Sequence, residues 1–367
     1  MKLKTKPTRK VTIWPIIYGA IVVLGFAGVA SWQAWAWWVW AISPPKPVFP
    51  DENANATPPP VNLVVKQGTS GNEIGTDLHQ KRLIRSMTAW KLWTRLMSLK
   101  DRAGGFQAGT YEIDPNADMN QIATQIWSGK VKEVSFTIRE GWTMKQMGDH
   151  FESLGFFSAQ AFLDAAKQIP YDKYPWLPKK LPHLEGFLYP DTYVAIVDNL
   201  SPQAVIAQML QHFEDQALPI YEQGKNQTKL NLLEWVTLAS IVEREAVIAE
   251  ERPIIAGVFA RRLEEVIPLG SDPTVEYAFG ITQTKERPLT YKEVSTPSPY
   301  NTYINFGLPP TPIGSPGLSS LKASLNPEKT EYLYFMSRYD GTHIFSRTLA
   351  EHEAAIRQVE AEIQQGR

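Results

Sequence analysis

The longest hydrophobic feature comes first in the chain. From Val11 to Pro45 no residue is charged, and Ile13 to Ala34 is predominantly apolar. That exceeds the roughly 20 residues a helix needs to cross a bilayer. Trp32, Trp35, Trp37, Trp38 and Trp40 crowd its far end, and Trp14 and Tyr18 mark its near end. Amphipathic rings favour the two interfaces of a membrane. The pattern predicts a transmembrane helix over residues 11–42. A cleaved signal peptide is the alternative, but it needs a shorter apolar stretch and small residues at its end, where this one has tryptophan. Residues 43–60 follow (SPPKPVFPDENANATPPP), with seven prolines among 18 positions. They read as an extended tether without secondary structure.

Beyond the tether the pattern becomes that of small α+β units, and it repeats. Val61 to Val65 alternates like a strand, Gly68 breaks it, and a helical pattern runs through Ile74, Leu78 and Leu83. Val134 to Ile138 is a second strand candidate, broken at Gly141 and followed by a helical pattern through Met147, Phe151 and Phe156. The matching positions lie 73 residues apart. Each unit later carries a Gly-aromatic strand, Ala108 to Ile113 in the first and Glu185 to Tyr193 in the second. A strand, two helices and a closing strand also describe the LysM module, which binds N-acetylglucosamine polymers, and residues 61–131 resemble it in that order of elements.

In the second half, Leu230 to Glu245 reads as one helix. A nearly unbroken apolar run, Trp235 to Val242, leads straight into Glu243. Burying an unpaired carboxylate is costly, so such a group shifts upward and keeps its proton. A protonated Glu near neutral pH is what a general acid needs. Val236, Ala239, Ser240, Glu243 and Val247 share a face at spacings of three and four, and the small residues leave room beside Glu243. Glu245 lies about 200° around the wheel, over Ile241 and Leu238. The helix is apolar on nearly every side, so periodicity does not say which carboxylate faces a site. The plain alternative is that both glutamates begin the solvated end of a buried helix.

An amphipathic helix follows from Glu251 to Leu263, with Pro253 in its first turn. Then come loops dense in Pro, Gly, Tyr, Asn and Thr: Leu269 to Val275, Ser298 to Tyr303, Gly307 to Pro310 and Ile313 to Gly317. Thr330 to Met336 and Gly341 to Ser346 read as a β-hairpin. Such loops hold hydroxyls and amides in fixed places and suit a neutral polar ligand such as a sugar.

Composition and charge alter this picture in three respects. The hydrophobic share of 43%, the charged share of 20% and the net charge of −1 are ordinary for a globular protein and give no sign of nucleic-acid binding. Lys2, Lys4, Lys6, Arg9 and Lys10 concentrate positive charge before the apolar stretch, which predicts a cytoplasmic N-terminus and an extracytoplasmic remainder. The absence of cysteine excludes disulfides, a thiol nucleophile and thiolate metal sites. No metal-ligand motif, nucleophile elbow or phosphate-cradling loop is present, so neither metal nor other cofactor is expected.

The second half carries the motifs of a known family. Ala239-Ser-Ile-Val-Glu-Arg-Glu245, Ser271-Asp-Pro-Thr274, Tyr300-Asn-Thr-Tyr303, Gly307-Leu-Pro-Pro310, Leu333-Tyr-Phe335 with His343, and the upstream Leu184-Glu-Gly-Phe-Leu-Tyr-Pro-Asp-Thr-Tyr193 resemble the YceG-like endolytic murein transglycosylases (MltG). The resemblance implies an α+β protein with a basic leader (1–10), a single transmembrane helix (11–42), a tether (43–60), a LysM-like subdomain (61–131) and a mixed catalytic domain (132–367). It implies a single-pass protein of the bacterial inner (plasma) membrane. It implies cleavage of peptidoglycan glycan strands between N-acetylmuramic acid and N-acetylglucosamine, leaving 1,6-anhydro-muramyl ends, with Glu243 as acid and then base. It also implies work beside cell-wall synthases (penicillin-binding proteins).

Around that acid, Glu185, Tyr189, Asp191, Tyr193, Ser240, Asp272, Tyr300, Asn301, Tyr303 and His343 are candidate substrate-binding residues. Tyrosines and Asn301 stack on and hydrogen-bond sugars, or pack a core. Asp191 and Asp272, each beside a proline, fix turns or, with Glu276, supply the second carboxylate of a hydrolase. His343 positions an acetamido or lactyl group, or serves as a structural donor. Two other readings stand beside this one: a non-catalytic peptidoglycan-binding scaffold and a hydrolytic muramidase.

Overall fold

The computed structural model describes residues 14–45, 58–284, 286–338 and 340–364. The basic leader and most of the Pro-rich tether lie outside the described residues. Contacts within the chain divide it into two units, residues 1–133 with 196–198, and the remainder.

The first unit begins with helix α1 (Trp14–Ile42), long and apolar enough to cross a membrane. Its side chains are exposed along most of its length, but its last turn differs. Ala41 is fully buried, and Trp38 and Ile42 pack against the core of this unit. Arg85 donates to the carbonyls of Ser43 and Pro44 at 2.6–3.1 Å and lies over the Trp40 ring. A cation at a helix C-terminus satisfies carbonyls that have no partner within the helix.

Strand β1 (Val61–Val65), helices α2 (Gly71–Gln80) and α3 (Met87–Lys100), strand β2 (Gly109–Ile113) and helix α4 (Met119–Trp127) follow. The strands pair antiparallel with Leu63 opposite Tyr111, and the period-2 pattern sends Leu63, Val65, Tyr111 and Ile113 inward. Trp90 of α3 is fully buried and donates its indole N–H to the Gly71 carbonyl at 2.7 Å.

The second unit opens by repeating this order. Strand β3 (Glu133–Thr137), helices α5 (Met144–Ser153) and α6 (Ala159–Ala165), strand β4 (Thr192–Ile196) and helix α7 (Pro202–Gln216) correspond one to one with β1 to α4, and β3 pairs with β4. The likeness extends to local chemistry. Ser70 and Thr143, 73 residues apart, both build a capping box, with Glu73 and Gln146 reaching back. Gly68 and Gly141 both adopt positive φ. Tyr111 and Tyr193 each bond a carbonyl four residues earlier, that of Gln107 and that of Tyr189. The closing strand of the second repeat starts at Thr192, later than the sequence pattern suggests. Pro190 has no N–H for a ladder, and Glu185 to Tyr189 form turns instead.

The rest is helices joined by loops, the longest over residues 295–317, with one hairpin: α8 (Leu218–Gly224), α9 (Leu232–Glu245), α10 (Arg252–Glu264), α11 (Asp272–Phe279), α12 (Tyr291–Val294), α13 (Leu318–Leu325), β5 (Tyr334–Ser337), β6 (His343–Ser346) and α14 (Leu349–Gln364). The hairpin pairs Tyr334 with Ser346 and Ser337 with His343. Helix α9 is buried all round from Trp235 to Val242 because it divides two cores. Trp235, Val236 and Ala239 join the cluster of α5, α6 and α7, whereas Leu238, Ile241 and Val242 join that of α10. A capping box from Asn231 and Glu234 starts α9, so its far end and the two glutamates are held at a fixed rotation.

Candidate active site

The last turn of α9 sends its two glutamates to different surroundings. Glu243 is 6% exposed; one oxygen meets Arg252 Nη2 at 3.2 Å and the other accepts the Gly317 N–H at 2.9 Å. Arg252 also donates to Ser320 at 3.1 Å. Glu243 therefore ties α9 to α10 and to the start of α13. Glu140 stands nearby; burial first, then the Glu243 charge, push its carboxyl upward, while Arg252 opposes them.

Glu245 faces a cavity of about 800 Å³, whose wall does not include Glu243. One Glu245 oxygen accepts the Ser271 hydroxyl at 2.6 Å. Burial pushes its carboxyl up to about 8, with smaller pushes from the charges of Asp272 and Glu276; the Ser271 bond and Arg244 pull the other way. At neutral pH this carboxyl holds its proton.

Asp272, Tyr303 and His343 share that cavity. Tyr303 donates to Asp272 at 2.5 Å, and Gln283 donates to the other Asp272 oxygen at 3.0 Å. Asp272 does not close a turn. It opens α11, where Pro273 fits the first turn of a helix. His343 is held by Glu251 at 2.7 Å and 3.2 Å through its ring and its N–H, so its ring is a fixed part of the wall.

The other candidates form framework. Glu185 is buried, accepts Met144 N–H at 2.9 Å and Tyr277 hydroxyl at 3.1 Å, and is pushed to about 7 chiefly by burial. Tyr189 gives its carbonyl to Tyr193, whose ring stacks on Phe136. Asp191 caps Thr192 N–H and meets His212 at 3.2 Å. Ser240 is fully buried; its hydroxyl donates to the Thr237 carbonyl and accepts the Ile313 N–H. Tyr300 bonds Thr311, and buried Asn301 holds the carbonyls of Val294 and Thr296.

Sequence reasoning missed three parts of this cavity. Arg262 donates to the carbonyls of Leu333, Pro268 and Leu269 and so fastens two walls together. Arg244 pairs at 2.8 Å with Glu276, the carboxylate that sequence had offered only as a hydrolase partner. Gln283 links Glu276 and Asp272. Their signals, an Arg in the last turn of a helix and a Gln in a polar loop, do not stand out from a solvated face. Among the described residues, no group of three or more His, Asp or Glu is arranged to hold a metal.

The model of the YceG-like family matches residues 63–358, most of the chain and the whole of this cavity. The chain belongs to the YceG-like family. This YceG-like chain is 32% identical over 311 residues to the endolytic murein transglycosylase of Bacillus subtilis, covering 80% of this chain and 83% of that one. It is 29% identical over 329 residues to the endolytic murein transglycosylase of Streptococcus pneumoniae, covering 81% of this chain but 58% of that longer protein. The crystal structure of a YceG-like protein from Listeria monocytogenes superimposes with a TM-score of 0.55 at 32% identity, covering 80% of this chain and 98% of that one.

Proposed function

We propose that this YceG-like chain is an endolytic murein lytic transglycosylase in which Glu245 acts first as acid and then as base. The observation that carries the reading is a carboxyl on the wall of a cavity of about 800 Å³, hydrogen-bonded to Ser271 at 2.6 Å and pushed upward by burial. The murein transglycosylases to which the chain is similar supply the substrate class. Glu245 gives its proton to the glycosidic oxygen between N-acetylmuramic acid and N-acetylglucosamine as the bond breaks toward an oxocarbenium-like state. The C6 hydroxyl of the same muramyl ring attacks C1 and returns a proton to Glu245. A 1,6-anhydro end forms, no water is consumed, and proximity of the tethered hydroxyl favours ring closure.

This reading moves the acid from Glu243 to Glu245. Glu243 is taken up by Arg252 and the Gly317 N–H and is not part of the cavity wall, whereas Glu245 is. Asp272 accepts from Tyr303 and Gln283 and supports the developing positive charge as a fixed anion. Those two donors leave it poorly placed to activate a water, which favours lytic over hydrolytic cleavage. A protonated carboxyl in a cavity likewise favours an enzyme over a binding scaffold.

Helix α1 serves as a single-pass anchor in the plasma membrane, with the N-terminus in the cytoplasm and the catalytic unit outside. The LysM-like β-α-α-β unit of residues 61–131 contacts glycan, and cell-wall synthases are the neighbouring partners. The deciding experiment digests purified glycan strands with wild type, Glu245→Gln and Glu243→Gln, followed by mass spectrometry. Anhydro ends, lighter by one water than reducing ends, are expected from wild type and from Glu243→Gln but not from Glu245→Gln. Full activity in Glu245→Gln overturns the assignment.

A further inference from the structure

We infer that helix α3 lies on the membrane as a second, interfacial contact beside the anchor α1, with an anionic lipid surface as its occupant. The inference rests on the proposed anchoring role of α1. Helix α3 has two faces. One buries Ala89, Trp90 and Trp93 in the core of its unit. The other exposes Leu92, Leu96 and Leu99, at 43%, 53% and 66%. Their spacing of four and three places all three within one narrow stripe. Single exposed leucines need no account, but an aligned stripe of them on one helix does.

Charge and position both point to lipid. Lys91, Arg95 and Lys100 flank the stripe, Arg102 follows, and α3 contains no acidic residue. Asp101, next along the chain, is engaged by the Trp127 indole and the Gly104 N–H. Leucines lined by Lys and Arg mark helices that lie in the plane of an anionic membrane. The tryptophan-rich end of α1, where the membrane surface falls in the anchoring reading, touches α3 directly. Arg85, just before α3, fixes this junction through the Ser43 and Pro44 carbonyls. A helix fastened to the end of a transmembrane span meets the headgroups without any further search.

The chain has no cysteine, so single thiols can be placed cleanly. The full-length protein, carrying an environment-sensitive fluorophore at Leu96→Cys, Val64→Cys or Val29→Cys, is reconstituted into phosphatidylcholine vesicles with or without phosphatidylglycerol. Quenching by spin-labelled lipids is then read. Val29 reports the anchor and should be quenched by deep labels in both membranes. Leu96 should be quenched by shallow labels, more strongly with phosphatidylglycerol, while Val64 on β1 should not. Lys91→Gln and Arg95→Gln should each lower the ratio of docked to undocked helix about fivefold at low salt. Quenching at Val29 but not at Leu96 overturns this inference alone. No quenching at Val29 overturns the anchor and this inference with it. Shielding of Leu96 that rises with protein concentration and not with lipid charge assigns the stripe to a second copy of the chain and also overturns it.

Discussion

Two residues apart on one helix, Glu243 and Glu245 meet different surroundings, and substitutions can test the proposal that only Glu245 is the acid. Glu245→Gln removes the proton donor and should lower turnover by at least about 10²-fold with little loss of stability. Glu243→Gln leaves the half-buried Arg252 without its paired carboxylate and should cost about 1–3 kcal/mol of stability, read as a fall in the denaturation midpoint, while turnover persists below that midpoint. The reverse pattern would return the acid role to Glu243. Folding raises the Glu245 carboxyl to about 8 by burial. Activity needs the protonated form, so kcat/KM should fall as pH rises past about 8. Stability falls across the same approach, because between the ordinary carboxyl range and about 8 the unfolded chain releases this proton and the folded chain keeps it. Glu245→Gln cannot ionise, so its stability relative to wild type should grow as pH rises through that window. Ser271→Ala removes a bond that favours the ionised form and should move the alkaline limit of activity upward.

At the scale of elements, the repeat makes its own prediction through two helical glycines that the 73-residue offset superposes. A Cβ on Gly75 would meet the Trp90 ring at 2.3 Å, whereas one on Gly148 would meet Ala159 at 3.2 Å and beyond. Helix propensity alone favours alanine over glycine by about 1 kcal/mol at either site. At Gly75 the buried indole has no room to move, so Gly75→Ala should destabilise. Gly148→Ala should be closer to neutral, and paired thermal unfolding curves test the order. Equal stabilisation of both would show that the packing reading is wrong. The same helices show what the sequence makes legible. Strand β1 follows from alternation and its bounding glycine, the β5–β6 hairpin from two short runs around a turn, and α2 and α5 from their apolar spacing. Which α9 glutamate faces the cavity does not follow, because a helix that divides two cores is apolar all round and its periodicity carries no direction. Tyr189, Tyr193, Tyr300 and Asn301 are equally opaque in sequence. An aromatic or amide in a loop looks the same whether it binds a sugar or ties a turn, and only their hydrogen-bond partners identify them as framework.

For the whole molecule, the division into two units with separate cores means that damage to one need not reach the chemistry of the other. Trp90 is fully buried in the first unit, and Trp90→Ala should cost that unit about 3–5 kcal/mol, a large part of an ordinary domain's stability. Amide protection in β1, α2 and β2 should then fall about 10²–10³-fold in hydrogen exchange. The cavity around Glu245 draws every wall residue from the second unit, from Arg244 to Ile356. The chain does return to the first unit at residues 196–198, where Asp198 accepts the Thr110 N–H at 2.6 Å and its hydroxyl at 2.7 Å. That return involves no residue of the cavity. Cleavage of short soluble glycans by Trp90→Ala should therefore stay near the wild-type rate while cleavage of long or membrane-linked strands declines, since the proposed function gives the glycan contact and the anchor to the first unit. A proportional loss on both substrates would mean that the two units fold and act as one body. In that case the first unit would be part of the catalytic fold itself, and its LysM-like order of elements would say nothing about where the strand is held.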